Sequence, residues 1–391
     1  MMTHLLSIGF KPLFLCTGFS ALILIGVWVG YLSGLWPEFS PPASPLMWHG
    51  HEMLFGFVGS AIGGFLLTAV ANWTRRPPVH GALLLVILLS WIAGRLGMAF
   101  DFGLPLSTRI AIDASYWLCL TVIIGREVLV SKNYRNLPIV LVLTGFLTLS
   151  VLFHFFPVEA LRAGLALVCV LITLIAGRII PAFTTNWLRL TKGPKVATPV
   201  SFNTFDKTVA LFTLPTLAYW CLFAFEILTG WLLIVVSILH AIRLARWRGH
   251  ETFSEPLMFS MHAAYAWLPI GLCLLGLTAI NSDIALSAGI HALGIGAIAT
   301  MILAVATRAA KGHSGQALRA GRMFSLCFIL IQVAVLFRIG QSYYPSLLIW
   351  SGATWLFSFG IFTLSLIQII FPTSHINNRE NQQIRISQGQ K

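Results

Sequence analysis

The chain alternates between long apolar runs and short polar loops from one end to the other. Runs of about twenty apolar residues are long enough to cross the hydrocarbon core of a bilayer as helices. There are twelve of them, at residues 13–35, 48–71, 82–100, 108–130, 137–156, 160–180, 207–225, 228–247, 259–278, 284–307, 321–340 and 346–371. The pattern predicts an all-α fold, a polytopic membrane bundle of about twelve transmembrane helices.

Composition supports a membrane protein. Of the 391 residues, 57% are hydrophobic and 9% are charged, and the mean hydropathy is +0.86. Soluble domains carry charged residues at about a quarter of their positions. We predict one transmembrane domain over residues 1–372, followed by a polar cytoplasmic tail over residues 373–391.

The basic residues have a strong bias toward one side of the membrane. Alternate loops and the two termini hold 21 of the 25 Lys and Arg residues, which is the pattern of cytoplasmic segments. This bias places both termini in the cytoplasm and favours a bacterial inner membrane. It also explains the net charge of +13 without a nucleic-acid partner, since no basic arm is present. The four exceptions are Arg95, Arg109, Arg162 and Arg338.

The cysteines limit the kinds of cofactor attachment. All six lie inside apolar runs and none forms a C-x-x-C pair, so no disulfide framework is expected. The absence of C-x-x-C-H excludes covalent attachment of a c-type haem. Any haem in this protein is therefore predicted to be b-type.

The most informative motif is WHGHE at residues 48–52, which opens the second apolar run. Ionisable side chains at the mouth of a span are costly unless they bind or conduct something. Neutral imidazole is the commonest metal ligand in proteins. We therefore predict a metal or haem site near this face of the bilayer.

The spacing of the two motif histidines restricts their geometry. Residues two apart on a helix are rotated by roughly 200°. Either His49 and His51 serve two cofactors that flank the helix, or His49 lies in a non-helical entry. Glu52 is a candidate proton donor, a metal ligand, or a partner that orients an imidazole.

Other histidines fall into two groups by predicted depth. His291 joins His49 and His51 on the periplasmic side, while the role of His154 on that side is left open. His240 and His262 lie toward the cytoplasm. Cofactor sites in helical bundles are built from side chains on facing helices. Three arginines near the cytoplasmic face are candidates for holding haem propionates through bidentate contacts: Arg243, Arg246 and Arg308.

A faint repeat occurs every four spans. The second, sixth and tenth spans end with ANWTR at 71–75, TNWLR at 185–189 and ATR at 306–308. Twelve spans with such a repeat, and histidines on the second and tenth, resemble the layout of haem–copper oxidase catalytic subunits. This is a likeness at the level of fold.

Several ordered motifs resemble the NnrS family over nearly the whole chain. They are WHGHEMLFGF at 48–57, GFLLTAVANWT at 64–74, GRIIPAFTTN at 177–186, HAIRLARWRG at 240–249, HAAYAWL at 262–268, and AVATR at 304–308 with GHSG at 312–315. The amino-terminal segment departs mildly from the family's usual F-R-P-F-F at Lys11 and Leu13.

The resemblance implies an integral membrane protein that contains haem and copper and acts in nitric oxide metabolism and nitrosative-stress tolerance. It makes six histidines candidate ligands of a b-type haem (heme b) or copper: His49, His51, His240, His262, His291 and His313. The leading prediction is a protein that binds nitric oxide and protects the cell against nitrosative stress. The alternatives are a nitric oxide reductase that uses quinol, and a copper or haem transporter.

Overall fold

The computed structural model describes residues 2–281 and 283–372, so the predicted tail at 373–391 lies outside the described residues. The described chain is helical and contains no strand. Its twelve long helices are numbered S1 to S12: Phe10–Leu32, Pro45–Thr74, Gly81–Ala99, Leu106–Val130, Tyr134–Phe153, Pro157–Lys192, Thr204–Leu222, Ile227–Ala245, Pro256–Ile280, Leu286–His313, Gly321–Gly340 and Leu347–Ile370. The prediction of a polytopic helical bundle is confirmed.

Eleven of the twelve helices are long and apolar enough to cross a membrane. S7 is the exception. Its first turn carries Asp206 and Lys207, and Asn203 and Asp206 form a reciprocal capping box there. The span predicted at 207–225 is therefore a helix that starts three residues earlier on a polar turn.

Two helices extend well beyond the predicted spans. S6 continues to Lys192 although its apolar run was predicted to end at residue 180, and S10 continues to His313 although its run was predicted to end at residue 307. The backbone hydrogen bonds of a helix do not require apolar side chains. Each helix therefore continues beyond its apolar run as an amphipathic segment. The predicted ends of these two spans were wrong for this reason.

S2, S6 and S10 form the interior of the bundle. Their most apolar windows are 72%, 67% and 72% buried, whereas no other span exceeds 56%. These three helices contact one another, and the other nine pack outside them, with S12 against S1. The end of the bundle that holds the starts of S2, S6 and S10 was predicted to face the periplasm, and we term it the upper end.

Each interior helix contains one π-helical segment between two α-helical stretches. The segments are Glu52–Phe57, Ile172–Ala176 and Ala292–Ala299, so consecutive starts are 120 residues apart. Single π-helical turns inside α-helices occur frequently at functional sites. Their even spacing matches the four-span repeat that the sequence predicted.

Candidate functional site

A large cavity lies at the upper end between S1, S2, S6, S7, S10, S11 and S12, and we term it the chamber. Its volume is about 560 Å³, within the range of small-molecule and cofactor sites. The walls are mostly apolar and aromatic, from residues such as Trp28, Leu54, Phe57, Trp220 and Trp355. The ionisable side chains that line it are His49, Arg162, His291 and Arg338.

His49 projects into the chamber from the first turns of S2. Ser44 caps this helix by accepting from the Met47 amide, and Pro45 occupies the first helical position. The imidazole stacks on Trp28 with ring centroids 4.5 Å apart. Neither ring nitrogen has a hydrogen-bond partner among residues 2–281 and 283–372, and Nδ1 is buried. An unpaired buried nitrogen is unusual and leaves a lone pair for a ligand.

His291 reaches the same chamber from S10, immediately before the π-helical segment. Its Nδ1 lies 2.8 Å from the carbonyl oxygen of Ser287, so Nδ1 carries the proton and donates. Nε2 is then left as the acceptor. Metal-bound histidines typically hold their other nitrogen in this way, which fixes both the tautomer and the orientation of the ring.

Two arginines that were not predicted as site residues also line the chamber. Arg162 lies on S6 and donates to the Cys221 carbonyl at 3.1 Å. Arg338 lies on S11 and donates to the side-chain oxygen of Gln341. Both belong to the four exceptions to the charge bias. That departure from the positive-inside pattern was the signal in the sequence that could have identified them.

His51 lies on the opposite face of S2 from the chamber, as the rotation of 200° required. Its Nδ1 is 3.0 Å from Glu52 Oε1 and its Nε2 is 3.1 Å from Asp113 Oδ2. A ring that donates from both nitrogens carries a positive charge. In this arrangement both nitrogens of His51 are engaged by carboxylates.

Arg95 and His154 complete this buried group, which we term the ion network: His51, Glu52, Arg95, Asp113 and His154. Arg95 donates to Glu52 Oε1 at 2.5 Å and to Asp113 Oδ1 at 3.0 Å, and His154 Nε2 lies 3.5 Å from Asp113 Oδ2. Gly56 makes room, since a β-carbon there would lie 2.9 Å from the guanidinium. Arg95 and Asp113 were not predicted as site residues, although Arg95 is another of the four exceptions.

Glu52 is only partly paired within the ion network. Its Oε1 accepts from His51 and Arg95, but its buried Oε2 has no partner in the part of the chain that the structure describes. The other predicted roles of this residue, proton donor or metal ligand, stay predictions.

A second group of polar side chains lies at the other end of the bundle, and we term it the lower cluster: Asp206, His240, Arg243, His262 and Tyr265. Thr213 donates to the Val209 carbonyl, so its hydroxyl accepts from His240 Nε2 at 3.0 Å. The Tyr265 hydroxyl then donates to His240 Nδ1 at 2.8 Å. Both nitrogens of His240 are therefore engaged by protein groups.

Arg243 is fully buried beside this pair. Its Nε donates to Asp206 at 2.7 Å, and one terminal nitrogen donates to the Thr173 carbonyl at 2.8 Å and to Tyr265 at 3.1 Å. Gly177 leaves the space that the guanidinium fills. Because its charge is matched by Asp206 inside the protein, Arg243 has the features of a structural ion pair.

His262 does not contact His240. Its Nε2 donates to Thr184 at 2.9 Å, and its Nδ1 packs against Gly249 without a partner among the described residues. The remaining predicted residues lie apart from the chamber. A terminal nitrogen of Arg246 lies 3.7 Å from Asp206 Oδ2. The guanidinium carbon of Arg308 lies 3.8 Å from the centroid of the Phe183 ring, and the His313 ring stacks on Phe10.

The structure thus brings two of the predicted histidines, His49 and His291, to one cavity and keeps His51, His240 and His262 in packed surroundings, while His313 is exposed at the lower end. Two imidazoles with free nitrogens, apolar walls and two arginines can hold a flat apolar group that carries anionic substituents. No group of three or more His, Cys, Asp or Glu side chains is arranged to hold a metal ion within residues 2–281 and 283–372.

Comparison with known proteins gives one match. A family model described as NnrS protein matches residues 4–372, which is nearly the whole chain. No curated protein matches the chain.

Proposed function

The chain belongs to the NnrS family, and we propose that it is a haem protein of the bacterial inner membrane that binds nitric oxide and protects against nitrosative stress. The single observation that carries this proposal is the chamber, where His49 and His291 expose unpaired ring nitrogens to an apolar space of about 560 Å³. A b-type haem, when bound, supplies an iron that takes nitric oxide as a ligand.

The residues of the chamber fit a haem. His49 and His291 are the two candidates for the one protein ligand of the iron, which would leave a position for nitric oxide, and the Ser287 carbonyl holds His291 in the tautomer that a ligand needs. Arg162 and Arg338 are the proposed partners of the propionates, since guanidinium groups bind carboxylates bidentately. The apolar walls exclude water from the ring.

Copper has less support from the residues. No cluster of His, Cys, Asp or Glu of the required size is present among the described residues. Two thioethers, Met47 and Met53, line the chamber with His49. Thioether sulfur is a ligand type that Cu(I) favours. We keep copper as an expectation from the family, to be tested by metal quantification.

The proposal is tested on protein purified in detergent from haem-replete cells. We expect a b-type optical spectrum that shifts when nitric oxide is added to the reduced protein, with iron and copper quantified on the same sample. Cells that express the protein should also survive a nitric oxide donor better than cells without it. A colourless preparation would overturn the proposal and favour the copper or haem transporter.

A quinol-dependent nitric oxide reductase is the second candidate. Reduction of two nitric oxide molecules to nitrous oxide and one water consumes two electrons and two protons. The observation in its favour is Glu52, whose buried Oε2 has no partner among the described residues and which lies on the helix that borders the chamber. Nitrous oxide formed from quinol and nitric oxide, and lost in Glu52→Gln with the haem spectrum intact, would establish this activity.

A further inference from the structure

A second, smaller cavity lies beneath the chamber on the axis of the bundle, and we term it the inner cavity. Its volume is about 110 Å³, and all of its lining side chains are apolar. Val58 and Ile298 line both the inner cavity and the chamber. The two spaces are therefore adjacent, with Val58 and Ile298 as a shared wall.

The three π-helical segments surround this pair of spaces. Phe57 of the first segment and Ile295 of the third line the chamber, while Ile172 and Ala176 of the second line the inner cavity. A π-helical turn interrupts the regular helix and shifts the positions of the residues that follow it. The first and third segments therefore form part of the chamber wall, and the second forms part of the wall of the inner cavity.

The inner cavity is also open toward the lower half of the bundle. Most of its upper lining, including Val58, Ile172 and Ile298, is buried. Residues farther along the same helices, such as Phe65, Ile179 and Val305, are only half-buried although they belong to the most interior spans. Their partial exposure shows that the space between S2, S6 and S10 is not closed below the inner cavity.

We propose that the chamber and the inner cavity form one axial passage that delivers small apolar molecules, namely diatomic gases, to the chamber from the lower half of the bundle. The volume of the inner cavity is below the range of about 300–1,000 Å³ that holds larger ligands, so a haem or a quinone does not fit there. Ions and protons are excluded because the lining offers no polar side chain to replace their hydration. A diatomic gas needs no such replacement.

This inference rests on the proposed function, because the haem in the chamber reports the arrival of the gas. The test uses carbon monoxide as the probe, with rebinding followed after flash photolysis of the reduced protein in nanodiscs. Ala61→Phe fills the inner cavity without altering a chamber residue. Ala93→Phe makes the same change on the exposed face of S3 and is the matched control.

We expect bimolecular rebinding to slow by about tenfold in Ala61→Phe, a change within the range that variants of one binding site show. Ala93→Phe should rebind like the wild type. Phe65→Ala removes a large side chain at the open end of the inner cavity, so carbon monoxide should rebind faster in this variant. A faster rate cannot result from misfolding, so this variant keeps the test decisive if Ala61→Phe fails to fold. Unchanged rates in both Ala61→Phe and Phe65→Ala, with normal haem spectra, would overturn the passage.

Xenon binding tests the passage without haem. Xenon occupies dry apolar cavities, so the wild type should take up xenon under pressure in the inner cavity and Ala61→Phe should not. Protein without haem that still binds xenon there would reject the proposed function and keep the cavity as a gas site. Protein that contains haem but takes up no xenon in the inner cavity would reject the passage alone.

Discussion

The chamber at the upper end and the lower cluster are built from the same kinds of residue, histidines on separate helices with arginines nearby. In the chamber, His49 has no hydrogen-bond partner among the described residues and His291 uses only Nδ1. In the lower cluster, Thr213 and Tyr265 engage both nitrogens of His240. The upper arginines line a cavity, whereas Arg243 is paired with Asp206 in a packed interior.

This difference shows that residue type and depth do not distinguish a binding site from a structural network. A ligand site needs a free lone pair and an empty volume beside it. The lower cluster instead satisfies most donors and acceptors with protein groups, because each unpaired group in the interior is costly. Its unpaired atoms, His262 Nδ1 and one terminal nitrogen of Arg243, pack closely against Gly249 and Gly177. By these two physical tests the chamber is the better haem site.

The largest effect should come from removing a proposed ligand. We expect whichever of His291→Ala and His49→Ala removes the iron ligand to retain less than about a tenth of the wild-type haem, because ligand loss should exceed the 10–100-fold cost of losing a group that merely orients a ligand. His240→Ala and His262→Ala should keep their haem. Haem per protein, measured as the pyridine haemochrome, checks this; loss of haem only in the two lower variants would reverse the comparison.

The next effect concerns the ion network behind the chamber. Asp113→Ala leaves Arg95 and His51 without their shared carboxylate, and breaking a buried ion pair costs about 3–5 kcal/mol. We expect that decrease in the free energy of unfolding, measured by denaturant titration in detergent. Glu38→Ala changes an exposed carboxylate and should stay within about 0.5 kcal/mol of the wild type. Equal effects for both variants would contradict the network.

A smaller loss of stability is expected in the lower cluster. Thr213→Val keeps the shape of the side chain but leaves His240 Nε2 without its acceptor, at a cost of about 1–3 kcal/mol. Haem content should not change. Thr208→Val, on the same helix, removes a hydroxyl that bonds only the Thr204 carbonyl and should cost less. If Thr213→Val released haem, the lower cluster would have to be counted as part of the cofactor site.

The smallest effect is an electrostatic one on the chamber. Arg338→Gln removes a positive charge from the chamber wall. Loss of this charge stabilises the oxidised iron relative to the reduced iron, because the oxidised form is more positively charged. We expect the midpoint potential of the haem to fall by tens of millivolts in a potentiometric titration. Arg319→Gln, in an exposed loop at the lower end, should leave the potential unchanged. A rise in the potential of Arg338→Gln would place the haem away from this arginine.

Much of the architecture was predictable from the sequence. The apolar runs predicted all twelve long helices. The repeated ends of the second, sixth and tenth spans occur on the three helices that the structure places in the interior, a placement that the sequence did not predict. The ends of S6 and S10 were missed because amphipathic segments continue a helix after the apolar run stops. The π-helical segments were also missed, since nothing in a hydropathy pattern separates a π-helical turn from an α-helical one.

The candidate site was predictable only in part. The WHGHE motif identified His49, and predicted depth identified His291. Because His49 lies within the helix, the rotation between residues 49 and 51 places the two side chains on opposite faces, and the alternative of a non-helical entry is excluded. Asp113 gave no sequence signal, because its partner Arg95 is eighteen residues away on another helix. Arg162 and Arg338 were visible only as exceptions to the charge bias.

The sequence by itself determined the helices, the membrane class of the fold and the family, because these depend on local hydropathy and on ordered motifs along the chain. Only the tertiary structure decided which histidines face a cavity and which are held by Thr, Tyr or carboxylate partners. The physical reason is that a free lone pair and an empty volume are properties of how distant helices pack. Span order places His240 and His291 at comparable distances from opposite faces of the membrane, but packing gives one a set of protein partners and the other a cavity.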